Sequence, residues 1–331
     1  MCVTYAVMDT ANLQSRYHLI NKIKIGGEGG WDYLIVDDIA RRLYVTHGTK
    51  VHVINADTLS IIGEIPNTEG VHGVAIASEI GRGFTSNGRT SSVTIFDIKT
   101  LKVIDEVPVG KNPDSIRYDI FSKKIFAFNG QSHDSTVIDA ASGKVIATIP
   151  LGGKPEFSVA DGRGHVYVNN EDKSEVAVID SKTLKVISEW PLAPGEAPSG
   201  LALDTMNHRL FSVCRNKFMI VMDAENGHVL ATLPIGSGTD GCGFDPETRL
   251  AFSSNGEGTL TVVHEKSPNV YSVLDTIVTQ RGARTMTIDP KTHSVFLPTA
   301  EYGPTPQPTA EQPRPRAPVL PGTFVVLQFQ R

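Results

Sequence analysis

Seven short stretches place a polar residue at the same point of a recurring pattern: Gly30-Trp31-Asp32-Tyr33, Val71-His72-Gly73, Pro113-Asp114-Ser115, Pro155-Glu156-Phe157, Pro198-Ser199-Gly200, Thr239-Asp240-Gly241 and Ala283-Arg284-Thr285. Asp32, His72, Asp114, Glu156, Ser199, Asp240 and Arg284 then share one register position, and six of these seven titrate or carry charge. Carboxylates crowded together raise one another's pKa or call for a cation. A histidine among carboxylates is the arrangement used for proton transfer. An oxygen-rich set with an imidazole also suits a divalent metal ion. His72, Asp114, Glu156 and Asp240 are therefore the candidates for metal or acid–base roles. Arg284, whose planar fork matches carboxylate or phosphate, is the candidate for holding an anionic group of a ligand. Asp32, His47 and His133 are further ligand-binding candidates. The competing reading is a solvated polar mouth with no chemistry, because loop ends around a channel are normally wet.

The elements that must position these residues repeat along the chain. Short apolar runs, the first six ending in a polar residue, recur as Val51-His52-Val53-Ile54-Asn55, Val93-Thr94-Ile95-Phe96-Asp97, Ser135-Thr136-Val137-Ile138-Asp139, Val176-Ala177-Val178-Ile179-Asp180, Met219-Ile220-Val221-Met222-Asp223, Thr261-Val262-Val263-His264-Glu265 and Val325-Val326-Leu327-Gln328-Phe329. Their last positions step by 42, 42, 41, 43, 42 and 64 residues. Pro66, Pro108, Pro150, Pro191 and Pro234 keep the same period. Each period holds four short strands rich in Val, Ile and aromatics, separated by turn residues, with no sustained helical periodicity. Four strands every 40 to 45 residues is the pattern of a β-propeller blade, and seven copies predict an all-β, seven-bladed propeller of four-stranded antiparallel blades. The seventh copy ends after its third strand at Arg331, and the run His18–Gly26 reads as an orphan fourth strand. Pairing the two closes the ring and removes two sheet edges. The expected organisation is an N-terminal extension over 1–16 and one propeller domain over 17–331.

Arg42-Leu43-Tyr44-Val45-Thr46, His165-Val166-Tyr167-Val168-Asn169, the Val-Ile-Asp strands and Lys144-Val145-Ile146-Ala147-Thr148-Ile149-Pro150 resemble the YVTN repeats of YncE-like seven-bladed propellers. The resemblance runs from about residue 17 to 331. It implies a surface-layer or periplasmic protein, exported, with no assigned reaction in most members. The first residues carry no basic segment followed by an apolar one of signal-peptide length, so a cytoplasmic location is the expectation if Met1 is the true start.

Composition narrows the function classes. Net charge is −5, from 31 basic and 36 acidic residues, which argues against a nucleic-acid footprint. No apolar run approaches the roughly 18 residues of a membrane span. Cys2, Cys214 and Cys242 make no disulfide framework, and no CxxC pair suggests zinc or haem. Gly26-Gly27-Glu28-Gly29-Gly30 leads into a strand rather than a helix, so it reads as a turn and not a phosphate loop. The longest step comes from an insertion over 298–321, where 8 of 24 residues are proline. Such a segment cannot be an interior strand. As a loop between the second and third strands of the last blade, it would overhang the same mouth as the polar ring, as a lid, a rim or plain decoration. Loops of that class also carry Asn87, Arg89, Asn129, Asn170, Glu171, Arg215, Asn255, Glu257, Glu301 and Tyr302.

The expectation is a monomeric propeller that binds a small molecule or a divalent metal ion at its channel mouth. The alternative is a lyase or lactone hydrolase using the same histidine and carboxylates. A protein partner on the upper face is a third reading, disfavoured by the polarity of those loops.

Overall fold

The computed structural model describes residues 15–309, 312, 313 and 315–331. Within them, 28 strands form seven separate four-stranded sheets. Blades 1 to 6 follow the chain in order, spanning 31–65, 71–108, 113–150, 155–191, 198–234 and 239–278, each an up-and-down antiparallel meander. Blade 7 is composite. Its inner three strands are Thr287–Asp289, Ser294–Thr299 and Val325–Gln330, and its outermost strand is the N-terminal segment His18–Lys24. Ile23 lies opposite Val326 and Leu19 opposite Phe329. The orphan strand thus completes the last blade, and the sheets close into a propeller. The only helical structure among the described residues is two short 3-10 turns, Ser78–Ile80 and Glu171–Lys173.

Burial explains the local sequence. The second and third strands of each blade are covered on both faces by neighbouring blades, so they read as near-continuous apolar runs. Leu43, Tyr44 and Val45 are fully buried, as are Phe126, Ala127 and Phe128. Each boundary between adjacent blades holds its own hydrophobic cluster. Tyr44 and Val53 of blade 1 meet Val74 and Phe96 of blade 2; Phe126 and Phe128 of blade 3 meet Val166 and Val168 of blade 4. The seam between blades 7 and 1 packs Phe296, Phe324 and Val326 against Trp31 and Leu43.

A second repeat feature is polar. Asn87, Asn129, Asn170 and Asn255 each end the second strand of their blade and are fully buried. Their amides stitch that strand to the third. Asn87 donates to Ser92 and Thr94, at 3.2 and 2.8 Å. Asn129 donates to Asp134 and Thr136, and Asn255 to Thr259 and Thr261. These four residues were expected to offer polar groups to the mouth. They are instead turned into the sheet, where the amide satisfies hydroxyls that burial would otherwise strand.

Candidate functional site

The ring residues stand where each innermost strand begins, beside the central channel. In blades 1 to 6 the pairing of the innermost strand with the second strand slips at this point. The irregularities fall between Trp31 and Leu34, Val71 and Gly73, Pro113 and Ile116, Pro155 and Ser158, Pro198 and Leu201, and Thr239 and Gly241. Such bulges release a residue from the ladder and re-aim its side chain. Arg284 lies just ahead of its strand, which starts at Thr287.

The side chains link round the mouth. Arg284 donates its Nε–H to Asp240 at 2.8 Å, and its Nη2 reaches the Trp31 carbonyl at 3.1 Å and Asp32 at 3.5 Å. On the other side of Asp32, its Oδ2 is 2.6 Å from Nδ1 of His72. The same imidazole nitrogen is 3.7 Å from Oδ1 of Asp114. Glu156 is 2.6 Å from the Lys154 ammonium, which also bonds Glu171, itself held by Arg215 at 2.5 Å. Ser199 is fully buried and donates to the Thr239 carbonyl at 3.1 Å. The expected crowd of like charges is therefore interleaved with cations: Asp240, Arg284, Asp32, His72 and Asp114 alternate in sign.

Electrostatics follow this order. Burial pushes the Asp114 carboxyl up to about 7, and the charges on Asp32 and Asp240 act the same way while His72 opposes them. Burial, then the charge of Asp114, raises Glu156 to about 9 despite the Lys154 ammonium beside it. Asp240 is raised by burial and by Asp32, with Arg284 opposing. For His72, burial disfavours the charged form, but the hydrogen bond to Asp32 and the neighbouring carboxylates outweigh it and raise its pKa to about 9. The imidazole of the ring is thus a cation at neutral pH.

The structure regroups the candidates drawn from sequence. One donor atom each from Asp32, His72 and Asp114 lies within 4.8 Å of the others, a set that can hold a metal ion. Oδ1 of Asp114 is buried and has no hydrogen-bond partner. Asp32, read from sequence only as a ligand-binding residue, belongs to this set, whereas Glu156 is engaged by Lys154 and Asp240 by Arg284. Arg284 is bound to two carboxylates of the protein, so its fork is not presented free to an anion.

His47 and His133 stand outside the ring. His47 occupies the strand-end position filled by asparagine in four other blades. It is buried, stacked on Phe324 at 4.1 Å and 3.4 Å from Nε2 of His52. Burial, aided by His52, lowers its pKa to about 4, so it stays neutral. His133 is exposed on its turn with a left-handed backbone. The described base of the proline-rich insertion does sit on the face of the ring. Gly322 donates to the Gly27 carbonyl at 2.8 Å, and Tyr302 packs against Trp31 and under the Arg281 guanidinium.

Sequence reasoning missed the layer beneath the ring. Tyr33 and Phe157 each follow a ring residue, on blades 1 and 4, and their rings meet edge-to-face at 4.9 Å. They cross the channel directly under the charged mouth. Their signal was present, as an aromatic next to the acid in both Asp32-Tyr33 and Glu156-Phe157.

Fold and site together define a closed seven-bladed propeller with a charge-alternating mouth and an Asp-His-Asp set able to hold a metal. No protein-family model matches this chain, and no curated protein does. Among solved structures it is similar to hydrazine synthase of Kuenenia stuttgartiensis, with a TM-score of 0.72 over 83% of this chain and 94% of that one, at 14% identity. A likeness at that identity shows the propeller fold alone.

Proposed function

We propose that the protein is a binding propeller whose mouth takes a divalent cation between Asp32, His72 and Asp114 and, through it, a small ligand. The observation that carries this reading is the convergence of the three donor atoms within 4.8 Å, with one Asp114 oxygen left unpartnered. Two carboxylate oxygens and one imidazole nitrogen suit a borderline ion such as Mn2+ or Zn2+. In the metal-free ring, the proton on Nδ1 of His72 supplies the positive charge that Asp32 and Asp114 require. A metal ion would take that proton's place, so binding should release it.

Isothermal titration calorimetry with MnCl2 and ZnCl2 on chelator-treated protein tests this. We expect one ion per chain, proton release seen as a buffer-dependent heat, and at least about a tenfold loss of affinity in Asp114→Asn and in His72→Ala. Absence of binding in the parent, or equal binding in both variants, would sink the reading.

The YVTN-like repeats support placing the protein with YncE-like propellers, and by that resemblance outside the cytoplasm. Fractionation of the native cells tests the location. The inner sheet edges face the channel, out of reach of a second molecule, which supports a monomer and is checked by light scattering. A second reading, lyase or lactone hydrolase, is favoured by one observation: Asp114 and Glu156 hold their protons towards neutral pH, as general acids must. Turnover of a lactone panel, abolished in Asp114→Asn, would support it, and inertness of the parent on the panel would remove it.

A further inference from the structure

Below the Tyr33–Phe157 crossbar the channel changes character. It widens into a cavity of about 240 Å3 with walls that include Ile116, Val159, Leu203, Phe244 and Ile288. Tyr33, Ser115 and Thr287 add polar groups to these walls, and the one charged side chain is that of Arg117 on the innermost strand of blade 3 (Pro113–Asp119). Its guanidinium lies over the Phe157 ring, 5.3 Å from the centroid, and Nη2 donates to the Ser158 carbonyl. Its Nε–H is buried with no partner, and no ion pair among the described residues involves it. Burial alone pulls its pKa down to about 10, with no carboxylate acting against that. A partly buried cation with no ion-pair partner is costly, and its unpartnered Nε–H leaves a place for an acceptor from outside the chain.

We infer that this lower chamber binds a small amphipathic monocarboxylate, its carboxylate on Arg117 and its apolar body against the chamber walls. A guanidinium edge matches a carboxylate, and apolar walls disfavour a strongly hydrated dianion such as phosphate. Size is consistent: a cavity of about 150 Å3 accommodates benzene, so this one has room for an aromatic ring or a short chain plus its head group. Arg117, Val159 and Leu203 also line a depression containing Tyr118, Ile120 and Thr205 at the far end of the strands. The ligand would therefore enter from the face opposite the charged ring, with the crossbar between it and the mouth.

The test is calorimetry on the full chain with benzoate and hexanoate, using benzamide and inorganic phosphate as matched probes. We expect benzoate or hexanoate to bind, benzamide at least tenfold more weakly, and phosphate not measurably. Arg117→Met should cut carboxylate affinity at least tenfold while the free protein melts no lower than the parent. A purely structural arginine would lower the melting temperature when lost. Leu203→Trp, which narrows the chamber and leaves Arg117 in place, should also lose the carboxylate. It decides the matter if Arg117→Met does not fold. The inference is overturned if the parent binds neither carboxylate, if benzamide binds as well as benzoate, or if Arg117→Met or Leu203→Trp binds like the parent.

Discussion

Asp114 concentrates the conflict within the ring: it is mostly buried, faces Asp32 and Glu156, and leaves one buried oxygen unpartnered. An aspartate in an unfolded chain releases its proton near pH 3.9, whereas this one holds it to about 7. The folded state binds the proton more tightly, so stability from this group is intact below about pH 4 and falls as pH rises through 7. His72 acts in the same direction at higher pH. Raised to about 9, it contributes fully below about 6.5 and loses that contribution as pH rises through 9. Asn keeps the shape of Asp and removes the acid. Asp114→Asn in chelator should therefore raise the melting temperature by about 2–6 °C at pH 8 and leave it nearly unchanged at pH 4.5. Scanning calorimetry at the two pH values checks this, and an equal shift at both would show that the ring is not under charge strain. The ring positions were legible from register, because each innermost strand begins at the same point of its repeat. The partners were not, since Arg284 meets Asp32 across 252 residues of chain. His47 could have been placed correctly. Aligned with Asn87, Asn129, Asn170 and Asn255, it falls at a strand end that is buried in every one of those blades.

At the scale of strands, each blade solves two problems by local means. The first is holding the second and third strands in register, and the asparagine stitch does this. Asn255→Ala would leave Thr259 and Thr261 without the amide they share. The expected cost is about 1–3 kcal/mol, measured by urea unfolding with an unchanged m-value. A cost near zero would mean that water replaces the amide. The second problem is the outermost strand, whose free edge exposes apolar pairs such as Ile61-Ile62, Val103-Ile104 and Val145-Ile146. In blades 1 to 5 its pairing with the third strand slips once, for example between Val53 and Ile54 and between Ile95 and Phe96, and in blade 6 it slips twice. A twisted edge of this kind resists pairing with a second molecule. The strands themselves were readable from runs of Val, Ile and aromatics between turn signals. The bulges were not, because one slipped residue leaves the apolar pattern almost unchanged.

Across the whole molecule, cohesion comes from contacts each blade makes with the next. At the start of the second strand, Arg42, Arg82, Lys124 and Arg209 each donate to a backbone carbonyl of the following blade, at Ile98, Ala140, Ser181 and Pro268. The seam between blades 7 and 1 adds a bidentate pair, Arg41 with Asp289 at 2.7 and 2.6 Å. The N-terminal strand supplies the remaining closure. Deleting residues 1–24 should lower the melting temperature by roughly 10 °C or more and make the Val325–Gln330 edge the first site of proteolysis. A truncated protein that melts like the parent would show that the seam holds without its outer strand. The number of blades also limits what the mouth can be. Charges of alternating sign fit an even ring without conflict, but a ring of seven has odd parity and must contain a fault. Here the alternation runs cleanly from Asp240 round to Asp114 and then fails, because the next position is Glu156, a second acid, followed by uncharged Ser199. Lys154, from outside the seven, leans in at that fault. The fault sits on one side of an otherwise regular ring, and there the chain supplies its own extra positive charge, leaving the Asp32-His72-Asp114 set on the alternating side.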